Sequence, residues 1–264
     1  MGINPVSVPI LAYHKVNNSF EIGITRVSVP AFEKQIKYLY EHNYYTISLT
    51  EFKNNSFNSS KYHPVIITFD DADESVYENV FPILDKYGFK ATVFVVSDYV
   101  GKDNTWDYNL FGNRSRHLNW QQIQLLSKKG WEIGSHTASH LDLTGLSADQ
   151  IVYELEMSKM KITNEIDKPV DYLSYPFNRF NERTILHTKQ AGYKAGCSLF
   201  ASNYYAKKFD DYVIPRLGVY LIDTINAYKY KLSGSKFELA KQRVISFFSI
   251  GTVIYNLIKN KKKY

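Results

Sequence analysis

Two adjacent carboxylates, Asp70 and Asp71, close the β-branched run PVIITFDD (64–71). Farther along, His136 and His140 follow the apolar run WEIGSH (131–136). A carboxylate can ligate a cation or take a proton, and an imidazole offers a metal a nitrogen. Either pair alone has an ordinary explanation: a polar strand end that caps a helix, or two surface histidines. Together they form a donor set. On a helical turn, the i, i+4 spacing puts both imidazoles on one face. Two histidines and one aspartate would leave a divalent metal open positions for water and substrate. Side chains alternate along a strand, but where the backbone turns at the strand end both carboxylates can reach one cavity.

The surrounding pattern predicts how these residues are positioned. Short apolar runs alternate with helix-like segments: strands at 8–14, 45–49, 64–71, 90–96, 131–136, 172–177, 194–200 and 213–219, helices at 31–43, 74–88, 119–130, 147–166 and 181–192. Pro82 should kink the second helix, and Asn119 is a candidate cap for the third. Such alternation means parallel strands with crossover helices, in a closed barrel or an open doubly wound sheet. Both polar clusters then lie at C-terminal strand ends, on one face.

The motifs are specific. Thr68-Phe69-Asp70-Asp71 resembles the first motif of the NodB-type polysaccharide deacetylases (carbohydrate esterase family 4), and Ser135-His136-Thr137-Ala138-Ser139-His140 resembles the second. The similarity runs from about residue 8 to 220 and includes FPILDKYGFKATVFV. It implies a distorted (β/α) barrel of about seven to eight parallel strands and metal-dependent removal of N-acetyl groups from an acetamido sugar. It also implies that Asp70 is the general base and that Asp71, His136 and His140 hold the metal. Zinc is the expected ion, with cobalt or nickel as substitutes.

Two features depart from the usual pattern. No histidine follows His187, so the late Leu-x-His motif is missing, and His14 at the end of the first strand is the candidate acid. The early Tyr13-His14 pair is similar to a permuted subgroup that includes biofilm polysaccharide deacetylases. The third motif, Leu173-Ser174-Tyr175-Pro176-Phe177-Asn178, lacks its arginine; Arg216 is expected to pair with Asp70 instead. Asp71 is followed by Ala72-Asp73 rather than a Gly-aromatic step, with Asp73 as a helix cap or an added charge near the metal. Tyr175, Pro176 and Phe177 are expected at the sugar site, and Trp106 and Trp120 are candidates to stack on sugar rings. Loop 101–117 is a candidate lid.

Composition sets the outer limits. One cysteine, Cys197, excludes an intrachain disulfide and a Cys-rich zinc site. The net charge of +6 includes Lys259 and Lys261 to Lys263 at the end of the chain, so no nucleic-acid partner is expected. A barrel domain is expected over 1–235, and a C-terminal helix with a basic tail over 236–264. Val244 to Ile258 is mostly apolar and short for a membrane span, which suits peripheral contact with an anionic surface. The N-terminus has no signal-peptide pattern, so a cytoplasmic location is expected, at the inner face of the membrane if the tail binds it. The rival readings are a metal hydrolase of another amide and a carbohydrate-binding protein with impaired turnover.

Overall fold

The run His63–Phe69 forms strand β5, and every residue after His63 is buried, as expected of a strand covered on both faces. The computed structural model describes residues 8–19, 24–58, 62–105, 115–199 and 211–234. The other strands are β1 (Ile10–Tyr13), β2 (Lys15–Val16), β3 (Arg26–Val27), β4 (Tyr44–Thr46), β6 (Thr92–Val95), β7 (Glu132–Ser135), β8 (Tyr172–Ser174), β9 (Ala195–Ser198), β10 (Ile214–Pro215) and β11 (Leu217–Gly218). The helices are α1 (Val29–Glu41), α2 (Leu49–Lys53), α3 (Phe81–Lys86), α4 (Trp120–Lys128), α5 (Ala148–Ile166), α6 (Glu182–Gln190) and α7 (Ile225–Leu232).

The helices start where side-chain oxygens meet otherwise unpaired amides. Ser48, Asn119, Ser147 and Asn181 each form a reciprocal capping box. The expected long helix at 74–88 is instead a π-helical turn, Val76–Val80, followed by α3. Pro82 falls in the first turn of α3, where its missing N–H costs nothing.

The main sheet runs β10-β9-β8-β7-β6-β5-β1-β11, with parallel pairing throughout. Its two end strands are consecutive pieces of one run broken at Arg216. Pro215 pairs with Ser198, while Leu217 pairs with Leu11. That run therefore closes the sheet into the expected distorted barrel. Tyr44–Thr46 pairs with the start of β5, off this path.

The two-residue strand period divides the core. Leu11, Ile67, Val93, Val95, Leu173 and Leu217 join the larger cluster, under the helices. Ile10, Ile66, Phe94, Tyr172, Cys197 and Ile214 form the inner cluster. Gly134 also belongs to the interior: a Cβ there would meet the Phe94 ring at 2.5 Å. Two or four residues on from these inward positions, the same parity reaches His14, Asp70, His136, Ser174 and Arg216. The alternation that fills the barrel with apolar residues thus aims this polar set at its C-terminal mouth. None of the helices among the described residues is long and apolar enough to cross a membrane. The proposed second unit, 236–264, lies outside the described residues, as does the apolar stretch 244–258.

Candidate metal centre

At the end of β5, Asp70 keeps the inward parity while Asp71 breaks it. Asp71 and Ala72 adopt left-handed backbone, with φ 68° and 53°. That turn is what brings two successive carboxylates to one place. Thr137, His140, Phe177 and Asn178 are also left-handed, with φ between 54° and 66°. Left-handed non-glycine residues cost about 1–3 kcal/mol each and persist where the surroundings over-determine them. Here they gather at the ends of three strands around one cluster.

Asp71, His136 and His140 are buried, with one ligand atom from each lying within 4.8 Å of the others. His136 Nε2 and His140 Nε2 lie 3.5 and 3.4 Å from Asp71 Oδ1. His136 Nδ1 lies 2.7 Å from the Ser174 carbonyl, which orients Nε2 toward the cluster when Nδ1 donates. Burial pushes the His136 pKa down to about 4 against the pull of Asp70, so the ring is neutral at pH 7. Two imidazoles and one carboxylate in a buried triangle suit a divalent metal such as zinc. The i, i+4 histidines do not meet on a helical turn, as the spacing suggested. His140 lies in a loop after β7, and its N–H donates to Thr137 Oγ1 at 3.1 Å. His117, which the sequence reading passed over, lies with Nδ1 2.6 Å from the Asp71 carbonyl and braces the left-handed turn.

Asp70 faces Arg216 across the barrel. Arg216 donates from both terminal nitrogens to Oδ1 and Oδ2, each at 2.8 Å. It also donates to Thr68 Oγ1 at 3.0 Å and Ser174 Oγ at 2.7 Å, and its guanidinium sits 5.0 Å from the centre of the Phe94 ring. Burial alone would raise the Asp70 carboxyl. The Arg216 guanidinium, helped by His136 and His14, overrides burial and holds the carboxyl well below the usual range. The expected pairing of Arg216 with Asp70 is thus present in the geometry. His14 continues β1 inward and is half-buried. Its Nδ1 has no hydrogen-bond partner among the described residues.

The remaining expectations divide. Phe177 is half-buried and packs edge-on against His140, ring centres 4.5 Å apart. Tyr175 corrects the expectation of a sugar contact: its side chain has the outward parity of Leu173, is 2% exposed and lies against Phe180. Pro176 is buried beside it. Ser174, one residue earlier, is the one that faces in. Trp120 opens α4 and packs against the core under the helices. Trp106 and most of the candidate lid lie outside the described residues. Asp73 acts locally, its Oδ1 accepting the Ser75 N–H at 3.0 Å.

A closed parallel barrel, with a buried Asp/His/His triangle and an arginine-held carboxylate at its C-terminal mouth, defines a barrel protein with a candidate metal centre. The polysaccharide deacetylase family model matches residues 58–196. Bacillus subtilis (strain 168) YxkH, named for the same family, is 32% identical over 199 residues, 73% of this chain and 64% of the relative. The chain therefore spans just under two thirds of that protein. The poly-beta-1,6-N-acetyl-D-glucosamine N-deacetylase of Staphylococcus aureus (strain MSSA476) is 31% identical over 217 residues, 76% of this chain and 70% of the relative. In fold, the chain is similar to the Streptococcus pyogenes deacetylase PplD, with a TM-score of 0.73 and 23% identity over 86% of this chain and 99% of that one. IcaB from Ammonifex degensii gives a TM-score of 0.70 at 20% identity, covering 86% of this chain and 96% of that one. The chain belongs to the polysaccharide deacetylase family.

Proposed function

We propose that this protein is a metal-dependent hydrolase that removes N-acetyl groups from an acetamido-sugar polymer of the poly-β-1,6-N-acetylglucosamine type. The observation that carries this reading is the arginine-held Asp70 beside the buried Asp71, His136 and His140, in a chain similar over most of its length to such an N-deacetylase.

Asp71, His136 and His140 would hold the metal. A divalent metal bound there supplies a Lewis acid that lowers the pKa of water and polarises the acetyl carbonyl. Asp70, kept ionised by Arg216, takes the proton from the attacking water. The new C–O bond forms as that proton leaves. His14 then protonates the sugar nitrogen as the C–N bond breaks, giving acetate and a free amine. Phe177 walls the site beside His140.

Acetate release from β-1,6-linked N-acetylglucosamine oligomers, β-1,4-linked oligomers and O-acetylated xylan tests the substrate class. Turnover is expected to be highest on the first. Turnover confined to the O-acetyl ester would overturn the amide reading. His14→Gln is expected to lower kcat about 10²–10⁴-fold, the usual contribution of a general acid, with KM little changed. The loss should shrink for an aryl acetate, whose leaving group needs no proton. Equal losses on the sugar amide and the aryl ester would remove the acid role.

A further inference from the structure

The segment between the two histidines has no regular secondary structure, yet each of its amides is placed. The N–H of His136 donates to the Val95 carbonyl at 2.8 Å, and that of Thr137 to Ser135 Oγ at 3.1 Å. The Ala138 N–H donates to the Glu154 carbonyl at 3.0 Å, and the Ser139 N–H to Glu154 Oε2 at 2.8 Å. The Ser139 hydroxyl donates to Glu154 Oε1. Glu154 is 3% exposed and lies on α5, outside the barrel. One turn later on the same helix face, Ser158 bonds Ser135 Oγ at 2.8 Å. Helix α5 thus holds the strand end with Ser158 and the middle of the loop with Glu154.

We propose that Glu154 is a positioning residue that presets the His136–His140 loop for metal binding. This inference rests on the metal reading above. Without the Glu154 side chain the loop loses two of its hydrogen bonds, both at Ser139 between the two ligands, and keeps only the backbone bond from Ala138 to α5. The left-handed turns at Thr137 and His140 are then free to relax. The cost of reassembling them falls on metal binding, because the ligands no longer start in place. Residues that orient ligands from behind typically change metal affinity about 10–100-fold.

The test is an equilibrium zinc titration of the full chain against a chromophoric chelator, with the thermal midpoint measured with and without zinc. Glu154→Ala is expected to bind zinc about 10–100-fold more weakly and to show a smaller zinc-induced rise in midpoint. Ser139→Ala keeps the Ser139 N–H bond and should lose less. The double variant should be no weaker than Glu154→Ala alone, because both changes remove one linkage. Glu156→Gln, an exposed change on the same helix, controls for loss of a negative charge and should bind as the wild type does. Zinc affinity within twofold of wild type in Glu154→Ala would overturn the proposal, even if its metal-free stability falls. Should Glu154→Ala fail to fold, Glu154→Gln decides: weakening beyond twofold supports the proposal and weakening within twofold overturns it. A wild-type chain that binds no zinc would overturn the metal reading itself, and the role of Glu154 with it.

Discussion

Arg216→Met is expected to cost about 3–5 kcal/mol of folding stability at neutral pH and to abolish most activity. Arg216 is 1% exposed and Asp70 2% exposed, so the substitution leaves a carboxylate buried without its charge partner. The pH dependence should change sign. In the wild type, the folded-state pKa of Asp70 lies below its unfolded value. The pair's contribution is therefore fully present above about pH 4, and is lost as pH falls toward the folded-state value. In Arg216→Met, burial is no longer opposed by the guanidinium, and the Asp70 pKa rises. Stability from that site is then lost as pH rises through the new value. Denaturant unfolding from pH 4 to pH 8 reads both slopes. A second change, Asp70→Asn in the Arg216→Met background, should restore part of the stability but none of the activity, because the buried charge is gone and so is the base. An Arg216→Met chain as stable as wild type at every pH would show that the pair does not hold the barrel mouth.

His136→Ala and Asp71→Asn are expected to weaken zinc binding by more than the roughly 100-fold upper range seen for groups that only orient ligands. Zinc at about 1,000 times its Kd stabilises a protein by about 4 kcal/mol if it binds only the folded state. The wild type should gain that increment, and both variants should lose at least about two thirds of it. His136→Ala opens a gap in the buried cluster and disturbs the Ser174 carbonyl. Asp71→Asn nearly preserves shape and is the cleaner comparison. A full zinc-induced rise in Asp71→Asn would remove Asp71 from the ligand set.

The site was legible in the sequence to the extent that its motifs are local. Asp70-Asp71 and His136-x-x-x-His140 stand within the span matched by the family model, whereas His14 and Arg216 stand outside it. Those two could be named because the late histidine and the third-motif arginine are missing and the early Tyr13-His14 pair resembles a permuted subgroup, but their meeting with Asp70 depends on closure. The run 213–219 reads as one strand. Only the pairing of its halves with β9 and β1 places Arg216 opposite β5. Strand parity should have favoured Ser174 over Tyr175, since Leu173 and Tyr175 share one face. The left-handed turns at Asp71, Thr137 and His140 were not legible, because no glycine marks them. Glu154 and His117 were missed for a related reason. Each acts on backbone groups distant in sequence, at Ser139 and Asp71, and no spacing rule connects them.

Acetate release from β-1,6-linked N-acetylglucosamine oligomers is the most direct measurement. It compares zinc-loaded wild type, chelator-stripped wild type, the reloaded protein and zinc-loaded Asp70→Asn. The expected result is release by the loaded and reloaded wild type, little by the stripped protein, and a loss of about 10²–10⁴-fold in Asp70→Asn despite bound zinc. Undiminished release after stripping, or full release by Asp70→Asn, would contradict the account.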